Sequence, residues 1–143
     1  MDERPDRSSI VTTVITVLVA ADADWLQTLV QSSLLADDAR IVAVKNGREV
    51  RAAMLEHRPD VAVLDMQIGS MGGIAVALDL QLEAADGRMP AIPVVLLLDR
   101  EADQTLAERV RADAVLVKPL DASQLRSTVL QLVEGFRTAQ LSG

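Results

Sequence analysis

Residues 61–65 read Val-Ala-Val-Leu-Asp, and residues 114–119 read Ala-Val-Leu-Val-Lys-Pro. Each is a short aliphatic run, rich in β-branched residues, that ends on a charge. That is the pattern of a strand buried on both faces whose tip reaches solvent. Three further runs, 14–20, 40–44 and 94–98, share the composition, and 61–64 and 114–117 are the strand portions of the first two. Between the runs, apolar residues recur with helical spacing. One face carries Trp25/Leu26, Leu29/Val30 and Ser33/Leu34, so Trp25 reads as a packing residue. A second carries Val50, Ala53/Met54 and His57; a third, with Ile74, Ala77/Leu78 and Ala84/Ala85, is apolar all round and reads as more buried. Leu106 and Val110 mark a short fourth helix, and Leu125, Val129, Leu132/Val133 and Phe136 form the clearest stripe.

Strand–helix alternation repeated five times implies an α/β fold: a doubly wound, five-stranded parallel sheet of flavodoxin-like order 2-1-3-4-5, with helices on both faces. In such a sheet the functional site lies at the carboxyl ends of the strands. The residues there are Ala21, Asp22, Ala23 and Asp24, then 65–69, Asp99 and Arg100, and Lys118 and Pro119. The punctuation agrees: Asn46-Gly47 opens the second helix, Gly72-Gly73 precedes the third, and Asp121 is an N-cap for the last.

Composition narrows the function classes. The 143 residues are half apolar but almost free of aromatics, with Trp25 and Phe136 alone, so the core is built from Ala, Val, Leu and Ile. A net charge of −7 with no basic cluster argues against nucleic acid as a partner. The absence of cysteine excludes thiolate chemistry and disulfides. The apolar segment 10–23 follows Asp2, Glu3 and Asp6, the wrong charge for a leader peptide, and is too short to span a bilayer. It reads as a first strand, with the chain cytoplasmic and no membrane partner. The single histidine, His57, cannot build a histidine metal cluster and reads as a helix C-terminal residue.

The ordered set of Asp22 after the first strand, Asp65 ending the third and Lys118-Pro119 after the fifth resembles the receiver domain of two-component response regulators, from about Val14 to Phe136. An isolated Asp65 would read equally well as a cap or loop residue; the Lys-Pro pair at its distance is the specific feature. The resemblance implies a regulatory phosphoacceptor and not an enzyme in the ordinary sense. Asp65 is then the acceptor and a Mg²⁺ ligand, Asp22 the second carboxylate ligand, and Gln67 a ligand through its backbone carbonyl. Lys118 pairs with Asp65 at rest and with the phosphoryl oxygens afterwards. The implied organisation is a flexible segment 1–13 and a receiver domain 14–140, with no output domain.

Four positions depart from the family pattern. Receivers usually end strand 1 with two adjacent acids, whereas the first here is Ala21. Strand 4 usually ends in Thr or Ser, whose hydroxyl bonds the phosphoryl group; here it ends in Leu98, which donates nothing. The following residue is usually small and is here Asp99, either a solvated loop acid or a gate against anionic donors. The aromatic switch position of strand 5 is Val115. Asp24, Glu101 and Asp103 read as acids at helix starts.

Two functions fit. One is a single-domain receiver in a phosphorelay, weakened by its site, with a histidine kinase or other phosphodonor upstream. Its downstream protein would dock on the face of helix 4, strand 5 and helix 5, with self-association as a homodimer left open. The other is a phosphorylation-independent pseudo-receiver that keeps the fold as a protein–protein interaction module. A flavodoxin-like enzyme or nucleotide binder is disfavoured, because neither GxxxxGK[ST] nor GxGxxG occurs.

Overall fold

A computed structural model describes residues 14–69 and 71–142. The expected flexible segment 1–13 lies outside them. The strands are β1 (Thr16–Ala20), β2 (Arg40–Val44), β3 (Val61–Asp65), β4 (Val94–Leu98) and β5 (Ala114–Val117). The helices are α1 (Asp24–Ser33), α2 (Gly47–His57), α3 (Gly73–Ala85), α4 (Gln104–Arg109) and α5 (Ala122–Ser142). All sheet pairings are parallel, in the order β2-β1-β3-β4-β5, as the alternation predicts. A two-residue hairpin, Gln67–Ile68 against Met71–Gly72, follows β3 and was not legible from the sequence pattern.

The period of two along each strand sorts the core into two layers. Leu18, Ala20, Ala62, Leu64, Leu96 and Leu98 pack under α2, α3 and α4. Val17, Val19, Val61, Val63, Val95 and Leu97 pack under α1 and α5. β3 and β4 are therefore buried at every position, which is why they read as unbroken apolar runs.

The helix readings need three corrections. On α1 the buried stripe is Leu26, Val30 and Leu34, whereas Trp25 is 56 % exposed and not a packing residue. On α3, Leu78 and Leu82 face outwards at 45 % and 56 % exposure, because one helix face suffices to cover the sheet. On α4 the inward residues are Asp103, Ala107 and Val110, and Leu106 is exposed.

Polar groups latch the elements together. Asn46 Oδ1 caps α2 by accepting from Glu49 N at 3.1 Å, and Asp121 Oδ1 accepts from Ser123 N at 2.8 Å at the start of α5. At the amino ends of the strands, Asp60 Oδ2 accepts from Thr16 N and Asp113 Oδ2 from Val94 N, both at 2.8 Å. Each aspartate also donates its own N–H back to the same residue, at 2.8 and 2.9 Å, so one residue closes two bonds to the neighbouring strand.

Arg126 on α5 makes a bidentate pair with Asp37, at 2.8 and 2.7 Å, across to the turn that follows α1. That hydrogen bonding holds the Asp37 carboxyl below its ordinary value of 3.8. A carboxyl depressed in the folded state stabilises the fold above its unfolded pKa, and the gain is lost as pH falls through the folded pKa. Urea midpoints measured from pH 7 down to about pH 2 should therefore fall less steeply below the ordinary carboxylate value in Asp37→Asn than in the parent chain.

Candidate functional site

Asp65 closes β3, the central strand of the sheet, and is only 3 % exposed. A carboxylate so deep in aliphatic surroundings needs a cation or several donors. Lys118 supplies the charge, with Nζ donating to Asp65 Oδ1 at 2.6 Å. Lys118 follows β5 directly, and its N–H donates to Leu98 O at 2.9 Å, continuing the β4–β5 ladder by one step. The same ammonium donates to Asp99 Oδ1 at 2.7 Å and lies 6.0 Å from the centre of the Trp25 ring, within cation–π range. Burial pulls the Lys118 pKa down, but its hydrogen bonds to Asp65 and Asp99 outweigh that and leave it above the ordinary 10.5. The lysine is thus a fixed positive charge at neutral pH. The Lys118-Pro119 peptide is cis.

Beside this pair opens a cleft of about 390 Å³ lined by Asp22, Ala23, Trp25, Asp65, Gln67 and Lys118. Asp22 N donates to Gln67 O at 3.3 Å, which ties the loop after β1 to the loop after β3. Gln27, buried on α1, donates from Nε2 to Ala21 O at 3.2 Å and Val44 O at 3.0 Å, pinning the ends of β1 and β2. A larger groove of about 570 Å³ lies between α2 and α3 but contains none of the strand-end residues. Its one acid, Asp79, is engaged by Arg51 at 2.8 and 2.6 Å. The strand-end residues Asp22, Asp65 and Lys118 thus line the smaller cleft.

A family model described as the response regulator receiver domain matches residues 17–130. The chain belongs to that family. The probable transcriptional regulatory protein TcrX of Mycobacterium tuberculosis is 30 % identical over 113 residues, 78 % of this chain and 46 % of TcrX. Protein PilH of Pseudomonas aeruginosa is 26 % identical over 96 residues, 67 % of this chain and 78 % of PilH. The chain spans about half the length of TcrX and of other curated regulators it matches. Among solved structures, a putative response regulator from Chloroflexus aurantiacus superposes with a TM-score of 0.75 at 16 % identity, covering 84 % of this chain and 98 % of that one. At that identity the likeness speaks for the fold.

The receiver brings Asp22, Asp65, Gln67 and Lys118 to one cleft, and none of the four departures lines it. Ala21 is fully buried and packs on the α1/α5 side without lining the cleft. Leu98 is fully buried on the opposite side of the sheet, under α2, α3 and α4, and Val115 packs against that same layer. Asp99 is no free loop acid but the second partner of Lys118. Asp24 does not reach into the cleft; it pairs with Lys45 at 2.5 Å. His57 sits at the end of α2, as expected, with Nδ1 3.1 Å from Arg40 Nη2.

Two residues of the site escaped the sequence reading. Trp25 was counted with the apolar stripe, yet it forms a wall of the cleft. Gly73 was read only as helix punctuation. Its N–H donates to Met66 O at 3.0 Å, and a Cβ there would overlap the carbonyl of Asp65, lying 2.9 Å from its carbonyl carbon. The start of α3 thus presses against the backbone of the acid itself, and only glycine allows the approach. Gly73→Ala should lower stability by about 1–3 kcal/mol in urea unfolding and shift the amide resonances of Asp65 and Met66 in an NMR spectrum.

Proposed function

We propose that this receiver accepts a phosphoryl group on Asp65 from a histidine kinase or another phosphodonor in the cytoplasm. The buried Asp65–Lys118 pair at the mouth of the cleft carries this reading. An Asp65 oxygen attacks phosphorus in line; the new P–O bond forms as the bond to the leaving group breaks, and the leaving group departs with the electron pair. The protein's part is positioning and charge neutralisation, and a lysine held charged beside the acceptor serves both.

Asp22, Asp65 and the Gln67 carbonyl are hard oxygen donors converging on one cleft, a set that suits Mg²⁺ with several waters retained. Among the described residues no group of three or more acidic, histidine or cysteine side chains forms a metal cluster, so two carboxylates would carry the site. Bound there, Mg²⁺ would supply further neutralisation of the phosphoryl oxygens. The missing carboxylate at Ala21 makes that site weak. The output face would be that of α4, β5 and α5, where Leu106 is 45 % exposed.

The packing of buried Leu98 and half-buried Val115 against one apolar layer favours a second reading. With no hydroxyl and no aromatic side chain to respond, the chain would act as a pseudo-receiver whose interactions ignore phosphate.

Incubation with Mg²⁺ and acetyl phosphate, followed by intact-mass measurement, separates the two. A single phosphoryl adduct that disappears in Asp65→Asn and in excess chelator is expected; its absence at millimolar Mg²⁺ leaves the pseudo-receiver. Ala21→Asp and Leu98→Thr together should raise the adduct yield, and an unchanged yield would show that these positions do not limit the site.

A further inference from the structure

The ammonium of Lys118 has three N–H donors and no acceptor capacity. Asp65 Oδ1 takes one at 2.6 Å and Asp99 Oδ1 another at 2.7 Å, while the Trp25 ring lies 6.0 Å away. Only 18 % of the lysine side chain remains exposed, against 44 % for Asp99. The Asp99 contact follows from the sheet itself. Leu98 and Val117 are register partners, and the Lys118 N–H bonds Leu98 O, so the next residue on each strand stands beside the other. A phosphoryl group arriving on Asp65 brings oxygens that need this same ammonium, and the two carboxylates already hold two of its three donors.

We propose that Asp99 is a positioning residue of the site: it holds Lys118 as an internal substitute for the phosphoryl oxygens, so that Asp65 is phosphorylated faster when the Asp99–Lys118 pair opens. This inference rests on Asp65 being the acceptor. It differs from simple repulsion of donors at the mouth, because what Asp99 withholds is the lysine and not access. The cost falls on every donor alike, whatever its charge. Asp99 is exposed enough to swing into water, so the pair is a tunable brake.

The test compares the parent chain with Asp99→Ala, labelling each with acetyl phosphate, a dianion at neutral pH, and with phosphoramidate, which carries less charge. Initial labelling rates are read by intact mass at fixed Mg²⁺ and ionic strength. Asp99→Ala should label about threefold to fivefold faster with both donors, the gain expected from releasing one partly exposed charge contact. In parallel, the fluorescence of Trp25, the sole tryptophan, should report beryllofluoride binding at roughly threefold to fivefold lower concentration in the variant. Equal rates in the two chains overturn the brake while leaving Asp65 as acceptor. A gain confined to acetyl phosphate also overturns it, since Asp99 would then act by repulsion. No adduct and no beryllofluoride response in either chain removes the acceptor reading, and this inference with it.

Discussion

A parallel sheet covered by helices on both faces leaves its strand ends as the places where polar side chains can meet one another and water. In this receiver β3 and β4 are buried along their whole length, so a polar side chain within them would be stranded. The consequences appear at both ends of the sheet. At the amino ends, Asp60 and Asp113 each close a pair of backbone hydrogen bonds to the next strand. At the carboxyl ends, Lys118 pairs with Asp65 and Asp99, and Asp22 lines the same cleft as Asp65 and Lys118. Asp65 is the extreme case: a carboxylate at the tip of the central strand, tolerable only because Lys118 is delivered to it by the neighbouring ladder.

The choice of cation follows from what each site must do. Lysine occurs only twice among 14 basic residues, and one of the two sits beside Asp65. Elsewhere the chain uses arginine as a bidentate clamp, Arg51 on Asp79, Arg88 on Glu83 and Arg126 on Asp37. A guanidinium fork fixes two partners in one plane, which suits holding helices and turns together. A compact ammonium can exchange one oxygen for another without reorienting a plane, which suits a group that must trade partners. Lys118 holds two acids at once, Asp65 and Asp99.

The departures from the family pattern obey the layering of the sheet. Leu98 shares its face with Val94 and Leu96, under α2, α3 and α4, while Asp65 shares the opposite parity with Val61 and Val63. Leucine at the end of β4 therefore extends an apolar layer and costs the fold nothing, though it removes a hydroxyl donor. Ala21 likewise completes the layer under α1 and α5. Stability and signalling chemistry ask for different residues at these two positions, and this chain carries the apolar solution at both.

Strand–helix alternation, strand order and the strand-end acids were legible in the sequence because they are local and periodic. A run buried on both faces is apolar throughout, and the residue that ends it is polar because it leaves the core. Periodicity does not say which side of an apolar helix is left over, so Trp25, Leu78 and Leu106 read as parts of apolar faces and lie outside. The close approach of Gly73 to Asp65 spans a hairpin that has no periodic signature. Sequence by itself determined that Asp65 and Lys118 stand at strand ends in a parallel sheet. Only the tertiary structure decided that Lys118 is shared with Asp99, because the register of β4 against β5 is a property of packed strands and not of either strand alone.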